Sequence, residues 1–89
     1  MTHNLRISDK LADAVLNGAK TFEVRYNDRG YNKGDRIVFT VVDDWGVSIP
    51  HLLEMKVYEI TYVLSGCNIR EGFVVFSVKQ VEKEEKDGN

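Results

Sequence analysis

The sequence predicts a mainly β (α+β) fold, a small barrel of five to six mostly antiparallel strands with one early α-helix. Three observations lead there. Five segments carry the alternating or β-branched pattern of strands, a single segment carries a helical pattern, and 89 residues leave room for one core. One helix cannot supply the crossovers of a doubly wound sheet, which needs a helix for each parallel connection. Closure into a barrel would also remove the edges that a short sheet otherwise has to protect.

His3 to Ile7 reads as the first strand, with Leu5 and Ile7 alternating against Asn4 and Arg6. Ser8 or Asp9 then suits a helix N-cap. Leu11, Val15 and Leu16 recur at helical spacing with Ala12 between them, and Gly18 supplies the positive φ that ends a helix of two to three turns. A strand from Lys20 to Tyr26 follows, divided into two faces. Phe22 and Val24 point one way, while Thr21, Glu23, Arg25 and Asn27 point the other. The segment NDRGYNKGD is rich in Gly, Asn and Asp and marks an irregular loop.

Arg36 to Val42 is apolar on nearly both faces, as a central or barrel strand is. DDWG is a turn. Pro50 keeps Val47 to Leu53 at an edge, a bulge or a loop. From Glu54 to Leu64 alternation returns, with Tyr58, Ile60, Tyr62 and Leu64 on one face. SGCNIREG is a second loop, and Gly72 to Val81 closes the domain through Phe73, Val75, Phe76 and Val78. The domain is expected over residues 1–81, followed by a charged, disordered tail at 82–89.

Composition narrows the function. Hydrophobic content of 43% is enough for one core, although a domain this small buries only about 60% of its unfolded surface and should have modest stability. The net charge of −2 argues against nonspecific duplex binding, which needs clustered positive charge. Residues 20–36 nevertheless hold five basic against three acidic side chains, a mild local excess. The single Cys67 excludes an internal disulfide and favours a reducing compartment. With no apolar run of signal or membrane-span length, a cytoplasmic location without membrane association is expected. His3, His51 and Cys67 have no partners at metal-binding spacing, and no P-loop, dinucleotide fingerprint or nucleophile elbow is present. Neither a metal nor a cofactor is expected.

The segment from Asn17 to Asp35 gathers Lys20, Glu23, Arg25, Asp28 and Arg29 where a strand leaves the sheet, which makes it the candidate site. Each residue also has a plain structural role. Glu23 and Arg25 can form an ion pair that braces a cleft wall, or contact a ligand directly. Lys20 is favoured close to a helix C-terminus on dipole grounds, and as a site residue it can hold a phosphate or polarise a carbonyl. Asp28 and Arg29 can order their loop, or Arg29 can recognise phosphate or stack on a base. Among the aromatic residues, Tyr26 and Tyr31 are the stacking candidates nearest the site. Tyr62 is expected in the core with its hydroxyl at the rim, and Trp45 is expected to cap the end of the barrel. His3 is a further candidate base if the first strand runs beside the motif strand.

These residues match a known pattern. GAKTFEVR resembles the Gly-x-Lys-x-x-Glu-x-Arg signature of ASCH domains, a branch of the PUA-like superfamily, and NDRGYNKGD looks like the DUF3850 family within it. HNLRI, ITYVL and GFVVFSV fall where that family has its first and last strands, so the resemblance covers residues 2 to 79. It implies a β-barrel with a cleft between barrel and helix that takes RNA or a modified base. By position, Gly18, Lys20, Glu23 and Arg25 carry the motif, and Asn27, Asp28 and Arg29 its extension; the expected ligand contacts are Lys20, Glu23, Arg25, Tyr26, Asn27, Asp28 and Arg29. A subset of ASCH-like proteins are amidohydrolases on acylated cytidine nucleosides, using a Lys near the motif start and a Thr three residues later. Here Lys20 is present, but the third residue after it is Glu23.

The leading expectation is binding of single-stranded RNA or a modified nucleotide beside this strand. The second is a hydrolase, either an acylated-cytidine amidohydrolase or a metal-independent ribonuclease, with Lys20, Thr21, Glu23 and His3 sharing the catalytic roles. The third is a non-catalytic interaction module of the kind frequent in phage and mobile elements. In that case Val47 to Leu53 is the protein-partner or dimer surface of a chain that is otherwise a monomer or weak dimer.

Overall fold

The computed structural model describes residues 1–82. The elements are β1 (Thr2–Ser8), α1 (Asp9–Leu16), β2 (Phe22–Tyr26), β3 (Arg36–Val42), a 3-10 turn (Leu52–Met55), β4 (Val57–Leu64) and β5 (Phe73–Val81). The expected tail lies, beyond Glu82, outside the described residues. One five-stranded sheet in the order β1-β3-β4-β5-β2 curls into a half-barrel. The β1–β3 pair is parallel and the other three pairs are antiparallel. No helix among the described residues is long and apolar enough to cross a membrane.

Alternation along the strands builds the core. Leu5 and Ile7 of β1, Ile37, Phe39 and Val41 of β3, and Val74, Phe76 and Val78 of β5 all point inward. The helix adds Ala12 and Val15 from its buried stripe. Ser8 caps α1 by accepting from the Lys10 N–H at 3.1 Å. At the other end the Asn17 N–H donates to Asp13 O, and Gly18 takes φ +86°, which reverses the chain. The Lys20 N–H then folds back onto Ala14 O at 2.9 Å. That bond fixes where the first residue of the motif stands relative to the helix.

The face expected for β4 runs true through Tyr58 and Ile60, then breaks. A register shift between Ile60 and Tyr62 marks a bulge against β5, and Thr61 at that point bonds Ser77 Oγ at 2.6 Å. One extra residue reverses which side faces inward. Tyr62 is therefore exposed rather than in the core, and Val63 packs against the core in its place. The reversal corrects the expectation for Tyr62.

The segment after β3 forms a strap over one end of the half-barrel. Ser48 makes an isolated bridge with Val42, and Leu53 inserts fully into the core. His51 Nδ1 accepts from the Leu53 N–H while its Nε2 lies 2.8 Å from Asp13 Oδ1, tying the strap to α1. Glu54 accepts from the Val41 N–H at 2.8 Å. Val47 and Leu52 stay exposed while Leu53 is buried, so only part of the expected apolar patch faces solvent. Trp45 does not cap the barrel: its turn is closed by Asp43, whose carboxylate accepts from the N–H groups of Trp45 and Val47, and the indole is 87% exposed.

Candidate functional site

β1 and β2 are the two edges of the sheet and face each other across an open seam. Strand pairing does not close it; arginines do. Arg25 Nη2 donates to Arg6 O at 3.0 Å, and Arg29 Nη1 donates to Asn4 O at 2.8 Å. Both carbonyls belong to the unpaired edge of β1, so two guanidinium groups satisfy acceptors that a sixth strand would otherwise take.

The two-faced reading of β2 is correct, and its polar face is the inner one. Glu23 is buried at 4% exposure, while Val24 and Tyr26 on the other face are 54% and 60% exposed. A lone buried carboxylate would be costly, and here it is fully partnered. Lys20 Nζ lies 2.5 Å from Glu23 Oε2. Arg25 Nε and Nη2 converge on Oε1 at 3.2 and 3.0 Å. Lys20 Nζ also donates to Phe22 O at 2.7 Å. Its ammonium sits 5.1 Å from the centre of the Phe22 ring, a cation–π contact at the rim.

This cluster forms one wall of a cleft of about 400 Å³ in the seam. Ile7, Ser8 and Leu11 form the opposite wall from β1 and α1, with Phe22 and Val24 at the β2 edge and Arg6 completing the lining. Three cations therefore stand against one carboxylate, a local excess of +2 on a chain whose net charge is −2. Donors remain after the internal bonds are made. Lys20 uses two of its three N–H groups, and among the described residues Arg25 has no partner on Nη1.

Residues 2–78 of the sequence match a family model for the domain of unknown function DUF3850. The chain belongs to this family. A comparison with curated proteins gives no match.

The structure of this DUF3850 member separates the expected site residues. Lys20, Glu23 and Arg25 line the cleft together. Tyr26 points outward, where its ring packs edge-on to Phe73 at 5.5 Å and lies over Gly72, at which a Cβ would come 2.8 Å from Tyr26 Cε1. Asn27 accepts from the Tyr31 N–H at 3.3 Å, and exposed Asp28 stands 3.8 Å from Arg29. Those loop residues shape the turn and brace β1; they do not line the cleft. Thr21 precedes β2 and lines a second, smaller cavity with Lys20.

His3 and Tyr31 lie elsewhere. His3 is buried with Nε2 2.8 Å from Asp35 Oδ2, and its ring meets Tyr31 at 4.8 Å between centroids. Tyr31 in turn meets Phe76 at 4.8 Å and is a core residue, not a stacking platform beside the site. Burial also raises its hydroxyl above the usual tyrosine range. Asp35 accepts a further bond from the Asn32 N–H at 3.1 Å. Burial by itself would raise the Asp35 carboxyl, but the bonds from His3 and Asn32, together with the positive charges of the Met1 ammonium 3.5 Å away and of His3, outweigh it and hold the group below its ordinary value.

Six cleft residues were not legible as such: Ile7 and Ser8 read as a core strand residue and a helix cap. Arg6 and Leu11 read as an outer-face strand residue and a helix-core residue, and Phe22 and Val24 read only as an apolar face. A signal was present for Leu11: it lies on the helix one position from Ala12 but off the stripe that Ala12 and Val15 bury. Among the described residues no group of three or more His, Cys, Asp or Glu side chains gathers as a metal site would require.

Proposed function

We propose that this protein binds single-stranded RNA or a modified nucleotide in the seam cleft beside Lys20, Glu23 and Arg25. The observation that carries the reading is the cluster's unspent donors: two cations neutralise one buried carboxylate and still offer N–H groups to the cleft. Phosphate and base carbonyl oxygens are the acceptors such donors suit. Glu23 then acts as the anchor that fixes both cations in place, so binding meets a preorganised pair of donors. The exposed Phe22 ring at the rim supplies a face on which a base can stack. The acidic net charge fits a ligand recognised at one site rather than along a duplex.

The resemblance to ASCH domains and the PUA-like superfamily supports the same class of ligand, and a cytoplasmic location and a phage or bacterial setting accord with it. Hydrolysis is the second reading, favoured by one observation, the direct contact of a part-buried lysine with a buried glutamate. Against the expected division of labour, Thr21 faces the other cavity and His3 is committed to Asp35.

The test is an NMR titration with nucleosides, acylated cytidine and short single-stranded RNAs, following the amides of residues 20–35. Saturable shifts concentrated at residues 20–25 are expected. A panel that leaves those amides unmoved while the fold is intact contradicts the proposal, and a ligand chemically altered during the titration moves the assignment to hydrolysis.

A further inference from the structure

We infer that a second copy of this chain docks on the outward face of β2, β5 and β4, forming a two-fold dimer in which each Tyr62 ring enters a cleft on the other copy.

The two ends of the sheet differ on their outward side. At the β1 end, the residues between the buried His3, Leu5 and Ile7 are Thr2, Asn4 and Arg6, the polar set that a solvent-facing strand carries. At the other end the strand register lines up apolar residues in rows. Tyr26 pairs with Phe73, Val24 with Val75 and Val75 with Leu64, and Tyr62 stands beside Ser77. These side chains lie opposite the inward Glu23, Val63, Val74 and Phe76. Val24, Tyr26 and Tyr62 are more than half exposed, and Leu64, Phe73 and Val75 partly so.

This face is not flat. A cleft of about 430 Å³ opens in it, where Val24, Phe73 and Val75 meet Asn68, Ile69 and Arg70 of the loop between β4 and β5. Tyr62 is outside that lining, on β4, two strands and roughly 10 Å across the sheet from β2. A projecting ring and a cleft side by side on one face are self-complementary, because a two-fold axis between them sets each ring over the other copy's cleft.

Charge and area select the occupant. None of the six apolar side chains is charged, and the one charged residue lining the cleft, Arg70, has its guanidinium 5.9 Å from the centre of the Phe73 ring. A nucleic-acid strand on this face would need a row of cations; a second apolar face of equal size needs none. With about 150–250 Å² for each aromatic side chain, the exposed parts of the six leave on the order of 400 Å² of apolar area per copy. A standard interface covers roughly 800 Å² per partner, a little over half of it apolar. The six residues thus supply the apolar centre, with Asn68, Arg70 and Ser77 at the rim. Because β2 turns Glu23 and Arg25 to the inner side, the charged cluster of the seam cleft stays uncovered in each copy.

Sedimentation velocity from micromolar to millimolar concentration tests it, on the natural chain and on Tyr62→Glu and Leu52→Glu variants whose folding is checked in urea. The expected result is a shift with concentration towards twice the mass of one chain. Tyr62→Glu should raise the dissociation constant about tenfold or more, as loss of a central aromatic anchor does. Leu52→Glu, on the exposed strap, should leave it unchanged. A second measurement needs neither variant: isotope-labelled chain is mixed with unlabelled chain carrying a spin label on the exposed Cys67, next to Asn68 in the loop beside the cleft. Amides of residues 24–26, 62–64 and 73–75 in the labelled copy should broaden. The mass of one chain at every concentration overturns the proposal. A dimer that Tyr62→Glu leaves intact, one that Leu52→Glu disperses, or broadening confined to residues 47–52 overturns it as well.

Discussion

Two buried carboxylates in this small domain look alike by exposure and differ in what surrounds them. Glu23 is 4% exposed and Asp35 is 8% exposed, and both accept at least two hydrogen bonds. Asp35 takes its bonds from His3 and a backbone N–H, with the Met1 ammonium 3.5 Å from its Oδ1. The His3 ring packs against Tyr31, and Tyr31 against Phe76, so His3 itself is spent within the core. Glu23 takes its bonds from two full cations at the open seam, whose remaining donors face a cleft. Burial of a charge therefore does not by itself mark a site. Spare capacity in its partners, together with an opening, does.

The comparison breaks hardest at Arg25. Arg25→Ala removes one of the two cations on a buried carboxylate and frees Arg6 O on the sheet edge, so it should cost about 2–4 kcal/mol in urea unfolding, the sum of a charge-assisted and a neutral hydrogen bond. Adding Glu23→Gln to the same chain should deepen that loss, because the part-buried Lys20 ammonium then faces no carboxylate. A double variant as stable as the single one would mean that the Lys20–Glu23 pair contributes nothing of its own.

Asp35→Asn should cost about 1.5–3 kcal/mol at neutral pH, the range for hydrogen bonds to a charged group, with ligand affinity unchanged. Its pH dependence has a definite sign. The Asp35 carboxyl is held below its ordinary value in the folded chain. Its contribution is therefore complete above the unfolded value of about 3.9 and is lost as pH falls through the lower folded value. The natural chain should lose stability through that acid range more steeply than Asp35→Asn; equal slopes would show that Asp35 is not the group responsible.

Smaller effects sharpen the picture. Arg29→Ala removes an exposed brace to Asn4 O and should cost no more than about 1 kcal/mol, far below Arg25→Ala although both arginines bridge the same seam. Trp45→Ala, at a side chain standing in solvent, should change stability by less than about 0.5 kcal/mol. A large loss there would reveal packing that the turn does not show.

Much of the fold was legible because local rules and packing agree. Ser8 as cap, Gly18 as stop and the apolar run of β3 each left one arrangement open. The misreadings came from features that alternation cannot register. A bulge at Thr61 reversed the face of Tyr62, and Tyr31 looked like a loop aromatic until His3 and Phe76 closed around it. The site was half legible. Lys20, Glu23 and Arg25 form a local motif, and the period of two correctly put Glu23 and Arg25 on one face. Arg6, Ser8 and Leu11 reach the cleft only through the curl of the sheet, a long-range consequence that no local spacing encodes.

Hydrogen–deuterium exchange with and without a saturating short single-stranded RNA tests the central claim most directly, because it reads both carboxylate clusters in one experiment. The account predicts slower exchange at residues 20–25 and in β1 around Arg6 to Ser8, with no change at residues 31–36 around Asp35. Protection around Asp35 instead, or none in either region, would contradict it.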